Sequence, residues 1–498
     1  MNACARRGRM WYNGGEISEQ AKGKSMKKST ILLAACGAAF AASAAVTADF
    51  TKATAKFRPA LHSSGYAPNF ERAHQTVWDE KLKEMNFDYV RSHDLGLVNC
   101  GCRAFDVQYV FPLIHLDPKN PKHYFFDTTD FMLDLQYAIG QKPFYCLGTS
   151  IEHTGLVHFA AEIPKDFDHM AEAFAGIVRH CEKGWGTPDG KVRPVKYWEI
   201  WNEPDGKNNM WSFNGGVDDR DPKNNRNAER RELFVKFFVK VLKRLKSEFP
   251  DVKVGGPALC SMKEDWFRPI LRACKEAGVR PDFLSWHYYG NDPDRMFQMA
   301  ADADKMCKEE GFDGLEFIIN EWHFICKAGW GKNAKCRAPD NMNDINSACY
   351  SLTILSRLQT SRYDQAYFYG CRFYGSWGFM NYETKELNKN FYAMKAFGEI
   401  KRHSADICAS SSTDKDVTAF ATKSADGKKA FLLVTDYNGR GMHIPVSVKG
   451  VAGAKKVTAR LLSFEKNLEP MPVKVKDGKF TLAKPDAYSA AFLITFDL

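Results

Sequence analysis

The chain has 498 residues, 44% of them hydrophobic and 13% aromatic, with a formal net charge of +10. Such a length suits one large domain with a smaller companion, and the hydrophobic share excludes a disordered chain. Residues 1–48, with seven Lys/Arg and two Glu, hold half of the excess charge; the mild remainder, with no basic block interleaved with aromatics, excludes nucleic acid as an expected partner.

Residues 1–25 show no periodicity and read as lying upstream of a start at Met26. From there Lys27 and Lys28 precede an apolar run from Ile31 to Ala45, which ends in the small residues Ala42-Ser43-Ala44 and is followed by Val46-Thr47-Ala48. This pattern predicts a secretory signal peptide over 26–48 and an exported chain. The run is too short for a membrane span. Leu33-Ala34-Ala35-Cys36 offers a second reading, a lipoprotein anchored at Cys36. Disulfides are allowed in an exported chain. Cys326 and Cys336 flank a Gly/Lys loop and are placed to pair, whereas Cys100 and Cys102 are too close to pair with each other. Cys146, Cys181, Cys274 and Cys349 fall in strand-like or helical patterns and read as buried thiols. No Cys-x-x-Cys occurs, so no zinc ribbon is expected.

Between about residues 59 and 402, short apolar runs alternate with amphipathic stretches. The runs predict strands over Ala60–Gly65, Tyr89–His93, Pro143–Gly148, Lys196–Trp201, Val252–Gly256, Phe283–Tyr288, Leu315–Asn320 and Gln365–Tyr369. Apolar residues three and four apart predict helices over Val77–Met85, Phe131–Ile139, Met170–Cys181, Leu233–Phe249, Phe267–Ala277, Met296–Cys307 and Ile345–Leu358, with a last one near Phe391–Lys401. Eight strands, each followed by a helix, predict an α/β fold, a closed (β/α)8 TIM barrel over 59–402. An open doubly wound sheet is the alternative, but Ser63-Ser64-Gly65 lacks its glycine-rich turn. Beyond 403 the texture becomes all-β. Strands are expected at Val417–Thr422, Ala430–Asp436, Ile444–Val448, Val457–Leu462, Pro472–Val475, Lys479–Leu482 and Ala490–Phe496. Turns such as Asp426-Gly427, Asn438-Gly439 and Asp477-Gly478 separate them. Residues 403–498 therefore predict a small β-sandwich, to which Val46–Phe57, or its part beyond the signal peptide together with Arg58 (49–58), can add a strand.

Active sites of such barrels lie at the C-terminal ends of the strands. "YWEIWNEPD" (197–205) puts Asn202 and Glu203 at the tip of the fourth strand, where Pro204 is expected to keep Glu203 extended and end the ladder. "INEW" puts Asn320 and Glu321 at the tip of the seventh. Two glutamates facing across one mouth suit glycosidic bond cleavage, in which one acid protonates the leaving oxygen and an ionised partner attacks the anomeric carbon.

These tips resemble the large clan of retaining glycosidases built on this barrel. "YWEIWNEPD", "FLSWHYYG" and "INEW" resemble, more narrowly, glycoside hydrolase family 39, the group of β-xylosidases and α-L-iduronidases. The resemblance implies that Glu203 is the general acid/base and Glu321 the nucleophile. It implies that Asn202 holds the sugar 2-hydroxyl and that His287 and Tyr289 orient the carboxylates and substrate, with the tyrosine hydroxyl donating to the nucleophile. Arg91 and His93, in "YVRSHD", match the Arg-x-His ending the second strand, and Trp377 would form a floor for the sugar ring. It implies a carbohydrate substrate, an oligosaccharide or glycan, with β-xylosidase-like exo action and no cofactor or metal.

Each side chain also has a plainer role open to it. Arg91 suits a buried ion pair with Glu199, His287 and Tyr289 suit core packing, and Trp377 suits an ordinary wall. Glu152, His153 and His323 are further candidates near strand ends. Asp94-Leu95-Gly96, "NEWHF" and the long loops Asp205–Arg230 and Ala328–Asn343 depart from a typical xylosidase, which leaves the sugar open and keeps another exo-glycosidase of the clan (galactosidase, arabinosidase, uronidase) or an endo-acting glycanase as alternatives. The basic second loop suits either an acidic sugar or a solvated surface. Two rival functions are a metal-dependent barrel hydrolase, which usually shows His-x-His on its first strand, and an inactive sugar-binding protein, in which loss of one glutamate would be expected.

Overall fold

The computed structural model describes residues 46–66, 75–93, 103–149, 162–188, 190–206, 211–213, 226–326, 341–374, 377–381, 384–439 and 441–498. The expected signal peptide up to residue 45, Cys36, Cys100, Cys102, Asp94-Leu95-Gly96, Glu152, His153, Cys336 and most of the two long loops lie outside these residues.

Strand β1 (Val46–Lys56) precedes the eight barrel strands: β2 (Ser63–Gly65), β3 (Tyr89–Ser92), β4 (Lys142–Leu147), β5 (Tyr197–Ile200), β6 (Lys253–Leu259), β7 (Phe283–Gly290), β8 (Glu316–Phe324) and β9 (Gln365–Phe368). They close in chain order, each parallel to the next, and β9 pairs back to β2. The helices are α1 (Gln75–Met85), the short α2 (Val107–Val110), α3 (Asp127–Ala138), α4 (Phe167–Lys183), α5 (Asn227–Glu248), α6 (Glu264–Glu276), α7 (Pro293–Glu310), α8 (Ile345–Leu358) and α9 (Lys389–His403). A short parallel pair, β10 (Arg372–Tyr374) and β11 (Gly378–Met380), lies between β9 and α9. All eight expected strands are present, with ends moved by a few residues.

Alternation along each strand sorts the barrel interior into layers. The lowest is apolar: Phe144, Tyr197, Phe283, Ile318 and Tyr367 form a separate buried cluster on which Tyr89 packs. Two residues further along the same strands, the interior turns polar with Arg91, Cys146, Glu199, Ser285 and Asn320, all buried.

The C-terminal domain begins where α9 gives way to β12 (Ser404–Ser412) without a linker. It continues through β13 (Val417–Ser424), β14 (Lys429–Asp436), β15 (His443–Lys449), β16 (Lys456–Leu462), β17 (Asn467–Met471), β18 (Lys479–Ala483) and β19 (Ala490–Asp497). With β1 these make one nine-stranded sheet, ordered β17-β16-β19-β14-β13-β12-β1-β15-β18. Its two halves enclose a core that joins Leu432 and Phe492 to Val446 and Phe480. The opposite face, with Phe431 and Leu433, joins the barrel's core. Both faces of β14 are thus covered, which explains its unbroken apolar run. Helix α8 lies between β8 and this sheet, and 13 of its 14 residues are buried.

Three expectations need correction. No strand forms at Pro472–Val475; Val473 and Val475 pack on the core, but the ladder to β16 is taken by β17. Strand β12 went unpredicted because Ile407 and Cys408 alone are buried in a run of Ser and Ala. The added strand β1 runs over Val46–Lys56, within the expected segment Val46–Phe57, and its buried Val46 and Ala48 take up residues that the expected signal peptide over 26–48 had included.

Candidate active site

The β5 ladder stops at Ile200 because the backbone turns left-handed at Trp201 (φ 72°) and again at Glu203 (φ 44°). The expectation that Pro204 holds Glu203 extended is therefore overturned. Two backbone bonds pin the turn instead: Glu203 N–H donates to Ala258 O (2.9 Å) and Gly206 N–H to Glu203 O (2.9 Å). Non-glycine residues in this region carry strain, and such strain is tolerated where it aims a functional side chain.

Glu321 is aimed differently. It does not end its strand but lies within β8, at a bulge: Trp286 pairs with Ile319, while the next residue, His287, pairs with Glu321. The extra residue is Asn320. Successive side chains normally alternate faces, but here both turn inward, Asn320 Nδ2 to Glu199 Oε1 (2.7 Å) and Glu321 to Arg91. Bulges near active sites re-aim side chains in this way. Strand β7 keeps its alternation, so Ser285, His287 and Tyr289 climb one face and reach Glu199, Glu203 and Glu321 in turn.

Arg91 is the hub. It is 1% exposed and donates Nε to Glu199 Oε2, Nη1 to Glu321 Oε1 and Nη2 to Asn202 Oδ1, each at 2.7 Å. Both readings of Arg91 hold: it pairs with Glu199 and it holds the glutamate and amide of the mouth. Burial opposes its charge, but Glu199 leads the groups that raise its pKa overall. Glu321 Oε2 accepts the Tyr289 hydroxyl at 2.7 Å. His287 Nδ1 lies 2.9 Å from Glu203 Oε1 and 3.3 Å from Glu321 Oε2, bridging the two.

The charges follow from these contacts. Burial raises Glu321, and the like charge of Glu203 adds to it; His287, Arg91 and the Tyr289 hydroxyl offset part of this, and the group stays above the ordinary carboxylate value. Burial acts upward on Glu203 as well, but the hydrogen bond and charge of His287 outweigh it and lower the group. Burial lowers His287, yet Glu321 and Glu203 together raise it. Of the three groups, His287 is the one whose charged form both neighbouring carboxylates favour. Separated pKa values in one cleft are a mark of acid–base chemistry.

One carboxylate oxygen from each glutamate and a His287 nitrogen lie within 4.8 Å of one another. That spacing alone would admit a cation. Both oxygens of Glu321 are already engaged, however, and the Arg91 guanidinium on one of them repels a metal ion.

The remaining expected residues fall around this centre. His93 is buried just past β3. Trp377 meets Tyr289, Tyr369 and His323 edge to face, each pair of ring centroids 5.4 Å apart. His323 is 1% exposed, with Nδ1 2.9 Å from Phe324 O. Glu152 and His153 lie outside the described residues. Sequence reasoning missed Ser285 and Asn320 as holders of Glu199, and Tyr369 as part of the aromatic wall. The signal for Ser285 was available, since it is two residues before His287 on the same face. Cys326 is disulfide-bonded, while Cys146, Cys181, Cys274 and Cys349 are free and buried as expected.

The model of Glycosyl hydrolases family 39 matches residues 44–322. A β-xylosidase from Geobacillus stearothermophilus is 25% identical over 217 residues, 42% of this chain and 37% of that protein. Another from Caldicellulosiruptor saccharolyticus is 25% identical over 228 residues, 43% of this chain and 40% of that protein. The match thus spans about two fifths of these relatives' length. In three dimensions the chain is similar to a glucosidase from Croceicoccus marinus (TM-score 0.71, 17% identity, 92% of this chain and 99% of that one). It is also similar to a monomeric β-xylosidase from Caulobacter crescentus CB15 (TM-score 0.63, 16% identity, 91% and 99%). A thermostable α-L-arabinofuranosidase from Thermotoga petrophila gives a TM-score of 0.62 at 15% identity over 91% and 100%. At these identities the structural likeness speaks to the fold.

Proposed function

The chain belongs to glycosyl hydrolases family 39, and from that membership we propose that it is a retaining glycosidase with β-xylosidase-like exo action. The observation that carries the reading is the pair of carboxylates, one just past β5 and one at the bulge within β8, with an oxygen of each within 4.8 Å of the other. Retaining glycosidases hold their two carboxyl groups about 5–5.5 Å apart, whereas inverting ones leave room for a water at about 6.5–9.5 Å.

In the first step a Glu321 oxygen attacks the anomeric carbon while the bond to the leaving oxygen breaks. Glu203 donates a proton to that oxygen. The proton reaches Glu203 from His287 Nδ1, 2.9 Å away, as the bound sugar shuts water out of the mouth and makes a charged Glu203 costlier. In the second step Glu203 takes a proton from water, whose oxygen attacks the anomeric carbon and releases Glu321. Asn202, with Oδ1 held by Arg91, uses its amide N–H groups on the 2-hydroxyl as positive charge builds on the ring. Trp377 and Tyr369 provide an apolar surface for the sugar ring. The names of the curated relatives support a xyloside as substrate. Export through a signal peptide starting at Met26 is part of the reading, with cleavage at Ala42-Ser43-Ala44, because Val46 and Ala48 are buried in β1.

A panel of aryl glycosides (xyloside, arabinofuranoside, glucoside, galactoside, uronide) tests the substrate, with turnover of the xyloside expected. Intact glycosides alongside internal cleavage of xylo-oligosaccharides would end the exo reading. Glu321→Gly with added azide should yield the glycosyl azide of inverted anomeric configuration, because azide enters from the face the missing carboxylate occupied, opposite the leaving group, in a single displacement. Wild-type turnover by Glu321→Gln would refute the nucleophile.

A further inference from the structure

The C-terminal sheet reaches the strands that carry the site. Tyr437, the residue after β14, donates its hydroxyl to Asn291 O at 2.8 Å. Asn291 directly follows Gly290, the last residue of β7, and Tyr289 of that strand donates to Glu321. The Tyr437 ring also packs edge-on against Tyr350 of α8, with centroids 5.7 Å apart. Tyr350 in turn packs on Phe324 at 5.6 Å, and Phe324 is the last residue of β8, the strand of Glu321. One side chain of the sheet therefore touches the outer end of β7 directly and that of β8 through one ring.

The loop that presents Tyr437 is itself fixed. The Lys484 side chain has no exposure, and its Nζ donates to Asp436 Oδ2 (2.7 Å), Gly439 O (2.9 Å) and Tyr488 O (2.9 Å). Asp436 Oδ1 accepts Gly439 N–H at 2.7 Å, and Ser489 Oγ accepts Asn438 N–H at 3.1 Å. A fully paired buried cation defines one arrangement of a loop more than it adds stability. Adhesion of the sheet to the barrel does not need this device. Phe431 and Leu433 bury apolar surface for it, and Arg460 pairs with Glu399 of α9 at 2.7 Å.

We propose that Tyr437 is a positioning residue for the nucleophile: it fixes the ends of β7 and β8 so that Tyr289 and Glu321 keep their hydrogen-bonded geometry. The role rests on Glu321 being the nucleophile, as proposed above. It makes the C-terminal sheet part of the frame of the site rather than a detachable accessory.

Tyr437→Phe and Arg460→Met, compared in the full chain, test it. Tyr437→Phe keeps the ring and should melt close to the wild type. It should lose about three- to tenfold in kcat on an aryl glycoside, the scale of one modest hydrogen bond, with KM within about twofold. The acid limb of its kcat/KM profile should move to higher pH, because Tyr289 then holds Glu321 ionised less well. Arg460→Met should lower the melting temperature and leave kcat unchanged. Unchanged kcat and acid limb in Tyr437→Phe would overturn the role, and so would an equal loss of kcat in Arg460→Met. The azide test on Glu321→Gly is read separately: its failure removes the nucleophile and this role together, while rescue beside an unaffected Tyr437→Phe removes this role alone.

Discussion

Tyr289→Phe removes a single oxygen from the site. The ring stays, with its edge contacts to Trp377 (5.4 Å) and Tyr369 (6.2 Å), so the wall of the cleft is preserved. What is lost is the 2.7 Å hydrogen bond to Glu321 Oε2. A hydrogen bond to a charged group contributes about 1.5–3 kcal/mol, and about 1.36 kcal/mol corresponds to one pKa unit. This bond favours the ionised form, so its loss raises the pKa of Glu321. The reaction needs that form, and the acid limb of kcat/KM therefore moves up, by about one unit once Arg91 and entering water take over part of the load. Below the limb, activity falls about tenfold, and on the plateau it falls less. The assay is hydrolysis of an aryl xyloside across the pH range, with a melting curve as control. An acid limb that stays in place or moves down would refute the assignment of Tyr289 as the donor that keeps the nucleophile charged.

Lys484→Met leaves Asp436 buried without its cation and should destabilise the chain by about 3–5 kcal/mol in a urea titration, with much of the loss recovered in the double variant Lys484→Met/Asp436→Asn; a full additive loss would refute the pairing. His62 and His323 are lowered by burial to about 3 and about 4, while the unfolded chain titrates near the ordinary value, so U binds more protons between those values. The stability they contribute is present above about pH 6.5 and falls by about 1.4 kcal/mol per histidine per pH unit below it. A melting temperature flat from pH 7 to 5 would contradict this, and His62→Gln should flatten the measured slope. Dialysis against a chelator should leave kcat unchanged; loss of activity restored by one divalent ion would favour the metal-dependent reading of the Glu203, His287 and Glu321 cluster.

The barrel was legible because each strand is an apolar run bounded by polar turns and each helix repeats at its own period, signals that depend on near neighbours alone. The pair Glu203 and Glu321 was legible for the same reason, as carboxylates interrupting two such runs. The turn at Trp201 and Glu203 was not. Pro204 argues locally for an extended neighbour, and the bonds that overrule it come from Ala258, on another strand. The inward turn of Asn320 beside Glu321 depends on a register slip against β7, which no single segment encodes. Strand β12 has little apolar pattern of its own and exists because β1 and β13 flank it. The pairing of Arg91 with Glu199 and Glu321 at once reflects three strands converging, where the sequence offered those roles as alternatives.

Strand β1 sits inside the C-terminal sheet, between β12 and β15, and its Lys56 meets Asp406 across 350 residues. During synthesis this strand, the first among the described residues, must wait for its partners until the whole barrel and the start of the C-terminal domain have left the ribosome. Long-range pairing of this kind is slow and exposes edges in the interim. A cell that makes this chain therefore has to guard a lone ribbon until its partners arrive, and a C-terminal domain expressed without that ribbon would lack the strand that bridges its two halves.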